Sequence, residues 1–382
     1  MWFSLAEMFG LQPVEISKEA DYARAGLQVR LRIGDHDLTE DEKKQVHAEL
    51  QPVIDAIGQD AAAIDQTNPW LSPGAAAFDA KSVGERLDEL LPDTSSLTRA
   101  ALEFTLANDN CAPVINQSYL GLLALVSAGR LGDDIEGLRG YWEYTETHRC
   151  AGGNDQLGDQ LAAQLPDVRL DTAVQKIDVR PDHILMEDVQ GTGRYDYVVL
   201  AAPPTAWPTI ESHLPWDPSQ RTMSHGPAVK YLNSFATQFW ADSQLAPSAL
   251  WDGLGAVWEG TDMQPTEPEF GLSVYSGGPF VLTETDYPGR LAQIFPGYAP
   301  TAERFVDWPN TPGIMTGYSV PSPGQVTTVA QALAEPHGGR LYFGGEQSYV
   351  PFFGYMEGAL QSGARAAREI IRVECPDALG DA

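Results

Sequence analysis

Residues 341–372, LYFGGEQSYVPFFGYMEGALQSGARAAREIIR, constrain the fold more than any other stretch of this chain. Leu341-Tyr342-Phe343 is a short apolar run stopped by Gly344-Gly345, which predicts a strand ending in a turn. From Gly354 the period changes. Gly354, Gly358, Ser362 and Ala366 recur on one face of a helix, with Ala359, Gly363 and Ala367 as a second small stripe beside it. A glycine inside a helix costs roughly 1 kcal/mol against alanine, so nearly bare backbone implies a close neighbour. Two arrangements satisfy that requirement. In one, the helix packs on a sheet with no ligand. In the other, its first-turn N–H groups, which carry partial positive charge, meet the edge of a cofactor.

Composition narrows the function classes. With 382 residues and 43% hydrophobic content the chain can bury ample core, and its length suggests two domains. It has no run of eighteen apolar residues, and Met1 to Leu11 lacks a basic leader, so no membrane span or signal peptide is expected and the expected location is cytoplasmic. Asp plus Glu number 53 against 24 Lys plus Arg, a net charge of −29 that repels nucleic acid and anionic membranes. A solvated surface suited to solubility or high salt is the simpler reading of that acidity; steering of cationic amines is the other. Cys111, Cys150 and Cys375 are widely spaced with no CxxC, which predicts a reduced, metal-free protein. His36, His47, His148, His183, His213, His225 and His337 show neither HxH nor HExxH spacing, so no zinc site or triad is expected. Lysine is scarce, and Lys230 stands out between Ala228-Val229 and Tyr231-Leu232. It reads either as a strand lysine reaching past apolar neighbours to water or as a functional cation.

Along the chain, residues 40–66 read as a helix with Thr39 as N-cap and Glu42 completing a capping box. Residues 82–92 and 97–108 predict two short helices, and Tyr119 to Ala128 an apolar one. Gly152-Gly153-Asn154-Asp155-Gln156-Leu157 opens a helix with Leu157, Leu161 and Leu165 on one face, followed by strand-like alternation in VRLDTAVQKIDVR. Tyr195 to Pro204 reads as a buried strand stopped by prolines.

Tyr342-Phe343-Gly344-Gly345-Glu346, Gly354-Tyr355-Met356-Glu357-Gly358-Ala359, Ser362-Gly363 and Ala366-Ala367 together resemble the last block of the flavin-containing amine oxidases, the family of monoamine, polyamine and L-amino-acid oxidases. The Gly152 helix, the strand after it and the Tyr195–Pro204 strand are similar to family blocks in the same order. So are Gly226-Pro227-Ala228-Val229-Lys230 with Phe239-Trp240, and Asp307-Trp308 through Gly317-Tyr318. The resemblance runs from roughly residue 100 to residue 372.

The resemblance implies an α/β, two-domain FAD-dependent amine oxidase fold: a Rossmann-like FAD domain plus a mixed-sheet and helical substrate domain. It divides the chain into substrate domain 1–149 (its helix-rich part) and 208–333, FAD domain 150–207 and 334–372, and an acidic tail 373–382. Lys230 would hold a water near flavin N5, and Tyr318 and Tyr355 would flank the substrate nitrogen. Val174 would meet the adenine, Trp308 pack near the ring, and Glu346 lie near the ribityl chain. Gly345 and Gly354 would line cofactor-facing turns, and Met356 would offer its N–H to the flavin N1/C2 edge. Where some members carry a cysteine this chain has Gly317, so the FAD would be non-covalent.

The implied activity is oxidative deamination of a primary amine or amino acid to an imine, with O2 reoxidising the flavin to H2O2. Tyr355 in its GYMEG context leans slightly to amines, and no arginine can be assigned to a substrate carboxylate. One family feature is missing. No strand, GxGxxG turn and helix precedes these blocks to hold the diphosphate. Gly253-Leu254-Gly255 lacks the third glycine, and Met1 to Leu11 is similar to the helix that ordinarily follows that unit. The FAD domain is therefore expected to be incomplete at its N-terminus, through a fragment, a misassigned start or a separate polypeptide supplying the unit. Homo-oligomerisation is compatible with the sequence. The alternative to an enzyme is a non-catalytic remnant that keeps the fold and lacks stable FAD.

Overall fold

The computed structural model describes residues 1–132, 134–212, 221–265 and 269–377; His213 and residues 378–382 of the acidic tail lie outside them. Its largest sheet has seven strands in the order Ala302–Asp307, Ala228–Phe235, Phe270–Gly277, Gly255–Glu259, Leu245–Trp251, Gln28–Ile33, His36–Asp37. Neighbours are antiparallel except Leu245–Trp251 against Gln28–Ile33, which run parallel.

Alternation sets the two faces of this sheet. Val229, Tyr231, Asn233 and Phe235 are buried, and Tyr231 stacks at 4.8 Å on Tyr287 of the helix Tyr287–Ile294. Lys230 therefore points to the opposite face, where it sits in register with Tyr275 on one side and Val306 on the other. Gly253-Leu254-Gly255 forms the turn between two of these strands, with Leu254 N–H bonded to Trp251 at 2.9 Å. Gly255 has φ 110° and a Cβ there would lie 2.1 Å from the Tyr275 carbonyl, so this glycine serves a hairpin and not a nucleotide.

The helices cover a second core. Thr39 caps Glu40–Ala61 through a full capping box with Glu42, as the sequence predicts. The helix stops at Ala61 instead of residue 66 because the Asp65 carboxylate takes the N–H groups of Thr67 and Asn68 at 2.8 and 2.7 Å, a local turn that competes with helix. Val83–Leu90 and Leu97–Asp109 follow, and Tyr119–Ala128 is buried from Tyr119 through Ser127. Asp155–Ala163 is shorter than its leucine pattern predicts: Leu157 is buried while Leu165, beyond the helix end, is 60% exposed.

A four-stranded sheet, Gly191–Tyr195, Ile184–Asp188, Val174–Val179 and Glu211–Ser212, stands beside a parallel pair formed by Val198–Leu200 and Leu341–Phe343. The strand Leu341–Phe343 leads through two short turns into the C-terminal helix Met356–Glu374. That helix begins after Gly354, which has φ 76° and lies in the preceding turn, so the buried stripe is Gly358, Ser362 and Ala366. A Cβ on Gly358 would lie 2.2 Å from the Phe352 carbonyl. The close neighbour demanded by the bare stripe is thus the chain's own backbone. Arg365 ties the helix down, donating to the carbonyls of Ser348, Phe343 and Leu333 at 2.7, 3.0 and 3.3 Å. Among the described residues no helix is long and apolar enough to cross a membrane.

Candidate active site

Tyr318 and Tyr355 come from remote parts of the chain and are held by one side chain. Glu346 Oε1 accepts from the Ser319 N–H at 3.1 Å and from the Ser319 hydroxyl at 2.9 Å, while Oε2 accepts from the Gly354 N–H at 2.7 Å. Each tyrosine is therefore the immediate neighbour of a residue pinned to Glu346. Gly345, with φ 96°, turns Glu346 inward from the end of the strand Leu341–Phe343. Burial raises the Glu346 pKa against the opposing pull of these three donors. Gly354 packs directly on the Tyr318 ring, where a Cβ would lie 2.9 Å from it.

The Tyr318 hydroxyl sits in an oriented chain of hydrogen bonds. It donates to the Asp109 carbonyl, which leaves its oxygen to accept from the Tyr275 hydroxyl; the Cys111 thiol, 2.9 Å from the Tyr275 oxygen, then donates to it. Burial pushes the Cys111 thiol up to about 11 and raises both tyrosines as well, so every member keeps its proton at neutral pH. On the other side, the Tyr355 hydroxyl lies 3.5 Å from that of Tyr141, and burial raises its pKa, as do Tyr141 and Glu146 beside it.

Lys230 reaches the same region. Its register partner Tyr275 bonds Tyr318, and its ammonium lies 5.5 Å from the centre of the Trp258 ring. Burial lowers its pKa, as does repulsion from Arg149, while Glu146 opposes the change. Trp308 follows the strand edge that carries Val306 and is 38% exposed. Val174 begins a strand of the four-stranded sheet and shares no described contact with the tyrosines. Met356, half exposed, opens the C-terminal helix, whose first turn has no side-chain cap.

Four participants give almost no sequence signal: Asp109, Cys111, Glu146 and Tyr275. The run Asn108-Asp109-Asn110-Cys111 does place polar residues at the end of an apolar helix, and Cys111 and Glu146 adopt φ 56° and 58°, unusual outside glycine. The Asp109 side chain keeps open surface although protein surrounds it; desolvation, with repulsion from Glu146, pushes its pKa up to about 7.

These residues fit the ring end of a flavin. The uncapped first turn of Met356–Glu374 leaves N–H groups for a carbonyl edge, and Gly354 keeps the space before it clear of any side chain. Among the described residues no GxGxxG turn joins a strand to a helix; the Gly152-Gly153 turn before Asp155–Ala163 carries only two glycines. No group of three metal-ligating side chains is present among them.

The model of flavin-containing amine oxidoreductases matches residues 2–371. A flavin-containing amine oxidase of Oncorhynchus mykiss is 25% identical over 81% of this chain and 62% of its own length. One from Danio rerio is 26% identical over 84% and 64%. A putative flavin-containing monoamine oxidase of Mycobacterium tuberculosis is 26% identical over 79% and 68%. The chain thus spans less than two thirds of the two fish relatives. In three dimensions it is similar to a putrescine oxidase bound to putrescine (TM-score 0.80, 20% identity) and to the cyclohexylamine oxidase of Brevibacterium oxydans (TM-score 0.79, 20% identity), covering 97% of this chain and 85% of each. That likeness identifies the fold, with its FAD domain and mixed-sheet substrate domain.

Proposed function

We propose that this chain, which belongs to the flavin-containing amine oxidoreductase family, carries the substrate site of an FAD-dependent oxidase of primary amines. The observation that carries this reading is the clamp: Glu346 fixes the neighbours of Tyr318 and Tyr355 so that two phenol rings stand at the start of a helix with an uncapped first turn. Bound FAD would supply the hydride acceptor.

The rest of the chemistry belongs to the chain. Tyr318 and Tyr355 orient the amine carbon, Lys230 holds water on the sheet face it shares with Tyr275, and the N–H groups at Met356 stabilise negative charge at the carbonyl edge of the ring. Reoxidation by O2 to H2O2 completes the proposed cycle. A Cβ on Gly317 would lie 2.5 Å from that of Ala228, so no larger residue fits where a thioether would form, and the FAD is proposed to be non-covalent. An amine is preferred over an amino acid because, among the described residues, no arginine is hydrogen-bonded to either tyrosine to receive a carboxylate.

A second reading rests on the missing diphosphate cradle: a chain that keeps the fold but holds FAD only when another polypeptide supplies the strand, GxGxxG turn and helix. The visible spectrum of the purified chain, followed by anaerobic addition of a primary amine, tests both. Flavin bands that bleach with amine support the enzyme reading. Bands that appear only with the added unit support the second. Bound flavin that no amine reduces would overturn the proposed activity.

A further inference from the structure

Tyr275 has no part in the scheme above, yet its hydroxyl is the middle of the chain that runs from Cys111 to Tyr318. The direction of that chain is forced. The Tyr318 hydroxyl donates to the Asp109 carbonyl, which can only accept, so the Tyr318 oxygen accepts from the Tyr275 hydroxyl and the Tyr275 oxygen accepts from the Cys111 thiol at 2.9 Å. Resting on the proposed amine oxidation, we propose that Tyr275 is a positioning residue of that reaction: it fixes the Tyr318 hydroxyl as a donor to the backbone, so this phenol meets the amine with its ring and not with a free O–H.

The surroundings are built to hold this chain of hydroxyls. Asn108, 1% exposed, accepts the Gly277 N–H at 3.0 Å through its Oδ1, which fastens the end of the helix Leu97–Asp109 to the end of the strand that bears Tyr275. Glycine is required at two of the contacts. A Cβ on Gly277 would strike the Asn108 carbonyl and lie 2.8 Å from the Tyr275 hydroxyl, and one on Gly226, the register partner of Tyr318, would strike the Cys111 carbonyl. Cys111 itself takes φ 56°, a conformation that a residue with a side chain keeps only where its surroundings enforce it. The far end shows what the chain does. A backbone carbonyl has no proton to pass on, and burial keeps the thiol and both phenols protonated at neutral pH, so the chain orients Tyr318 without carrying charge. Loss of the Tyr275 hydroxyl would leave the Tyr318 hydroxyl held at its Asp109 end alone. Because Lys230 is the cross-strand neighbour of Tyr275, the two effects have to be told apart: a role through Tyr318 belongs to flavin reduction, one through Lys230 to reoxidation.

Fluorine NMR of the full chain labelled with 3-fluorotyrosine, without flavin, gives the first test. The Tyr318 resonance, identified by its loss in Tyr318→Phe, should move in Tyr275→Phe, which keeps the ring and removes only the hydroxyl; a resonance left in place would overturn the inference. Should Tyr275→Phe lack the parental circular dichroism, Cys111→Ala takes its place. Removing the donor behind Tyr275 should move the same resonance by a smaller amount, since bonds in a chain polarise one another, and an unmoved resonance would again overturn the inference. With flavin bound, Tyr275→Phe should slow reduction by amine about ten-fold, while reoxidation by O2 stays within about two-fold of the parent. The double variant Tyr275→Phe with Tyr318→Phe should be no more than about two-fold slower than Tyr318→Phe alone, because the first change acts through the hydroxyl that the second removes. Effects that multiply, or equal losses in both half-reactions, would make Tyr275 a merely structural residue and overturn the inference. The oxidation itself is judged separately: if no amine reduces flavin in the parent, that reading falls, and the Tyr318 resonance alone decides whether Tyr275 sets the phenol.

Discussion

Replacing Glu346 with alanine should loosen both tyrosines at once. The carboxylate accepts three hydrogen bonds, from the Ser319 N–H, the Ser319 hydroxyl and the Gly354 N–H at 3.1, 2.9 and 2.7 Å. Bonds to a charged acceptor contribute about 1.5–3 kcal/mol each, and an orphaned buried N–H costs about 1–3 kcal/mol. Two N–H groups would be orphaned, while the hydroxyl can turn to another acceptor. The variant also escapes the desolvation that raises the Glu346 pKa, which offsets part of the loss. The expected net destabilisation is about 2–4 kcal/mol.

Glu346→Gln keeps one oxygen for one side of the clamp and presents an NH2 group to a donor on the other, so it should fall about halfway between parent and alanine variant. Urea unfolding followed by tryptophan fluorescence measures the stability, and stopped-flow reduction of bound flavin by amine measures the function. Reduction should slow by about ten-fold or more, equivalent to about 1.4 kcal/mol of lost orientation. An alanine variant within about 0.5 kcal/mol of the parent, or one that reduces flavin at the parental rate, would refute the clamp.

The remaining expectations are briefer. Lys230→Met should slow flavin reoxidation by on the order of ten-fold, read by rapid mixing with O2; an unchanged rate would remove Lys230 from the oxygen chemistry. Tyr318→Ala and Tyr355→Ala should lower the rate of flavin reduction and raise KM while the far-ultraviolet circular dichroism stays parental, and full activity in both would make the tyrosines core residues. Asp109 titrates near 7 in the folded chain against 3.8 unfolded, so the stability tied to its proton is complete below the lower value and is lost as pH rises through the higher one. Urea midpoints of Asp109→Asn should vary less than those of the parent between those limits, and parallel curves would show that the carboxyl does not titrate there. Finally, the chain alone should bind FAD weakly, and co-expression with a unit carrying strand, GxGxxG turn and helix should raise flavin content; stoichiometric FAD without that unit would reject the second reading.

What the sequence made legible was what the backbone enforces. Thr39 and Glu42 announce a helix start because a capping box is a local hydrogen-bond pattern, and Tyr119 to Ala128 reads correctly because an apolar helix without a polar face has to be buried. Boundaries went astray where a side chain competed with the helix, as Asp65 does after Ala61, or where a residue beyond the helix end lost its support, as with Leu165. The resemblance to the family singles out both tyrosines, but nothing local joins Tyr318 to Tyr355. Their connection through Glu346 exists only once the long-range strand pair of Gly226 with Tyr318 and the turn at Gly354 are folded together.

The glycines divide the same way, and their division bears on what the site can hold. Gly358 is small because Phe352 presses on it, whereas Gly363 on the neighbouring stripe has nothing within 4 Å of where a Cβ would be. A helix glycine without a close neighbour costs roughly 1 kcal/mol against alanine and gains nothing in return from this chain alone. Its neighbour Ala359 and the next small residue, Ala367, are likewise exposed, so the open stripe is continuous along the helix. Close packing within the chain therefore explains one face of Met356–Glu374 and leaves the other without a reason. A nucleotide-binding unit seated along that open face would give it one, and Gly363→Leu separates the cases. If the bare stripe is mere surface, leucine should be neutral or slightly stabilising to the chain and leave flavin content unchanged when the nucleotide-binding unit is supplied. If the stripe is a seat for that unit, flavin content should fall several-fold while the chain itself stays folded.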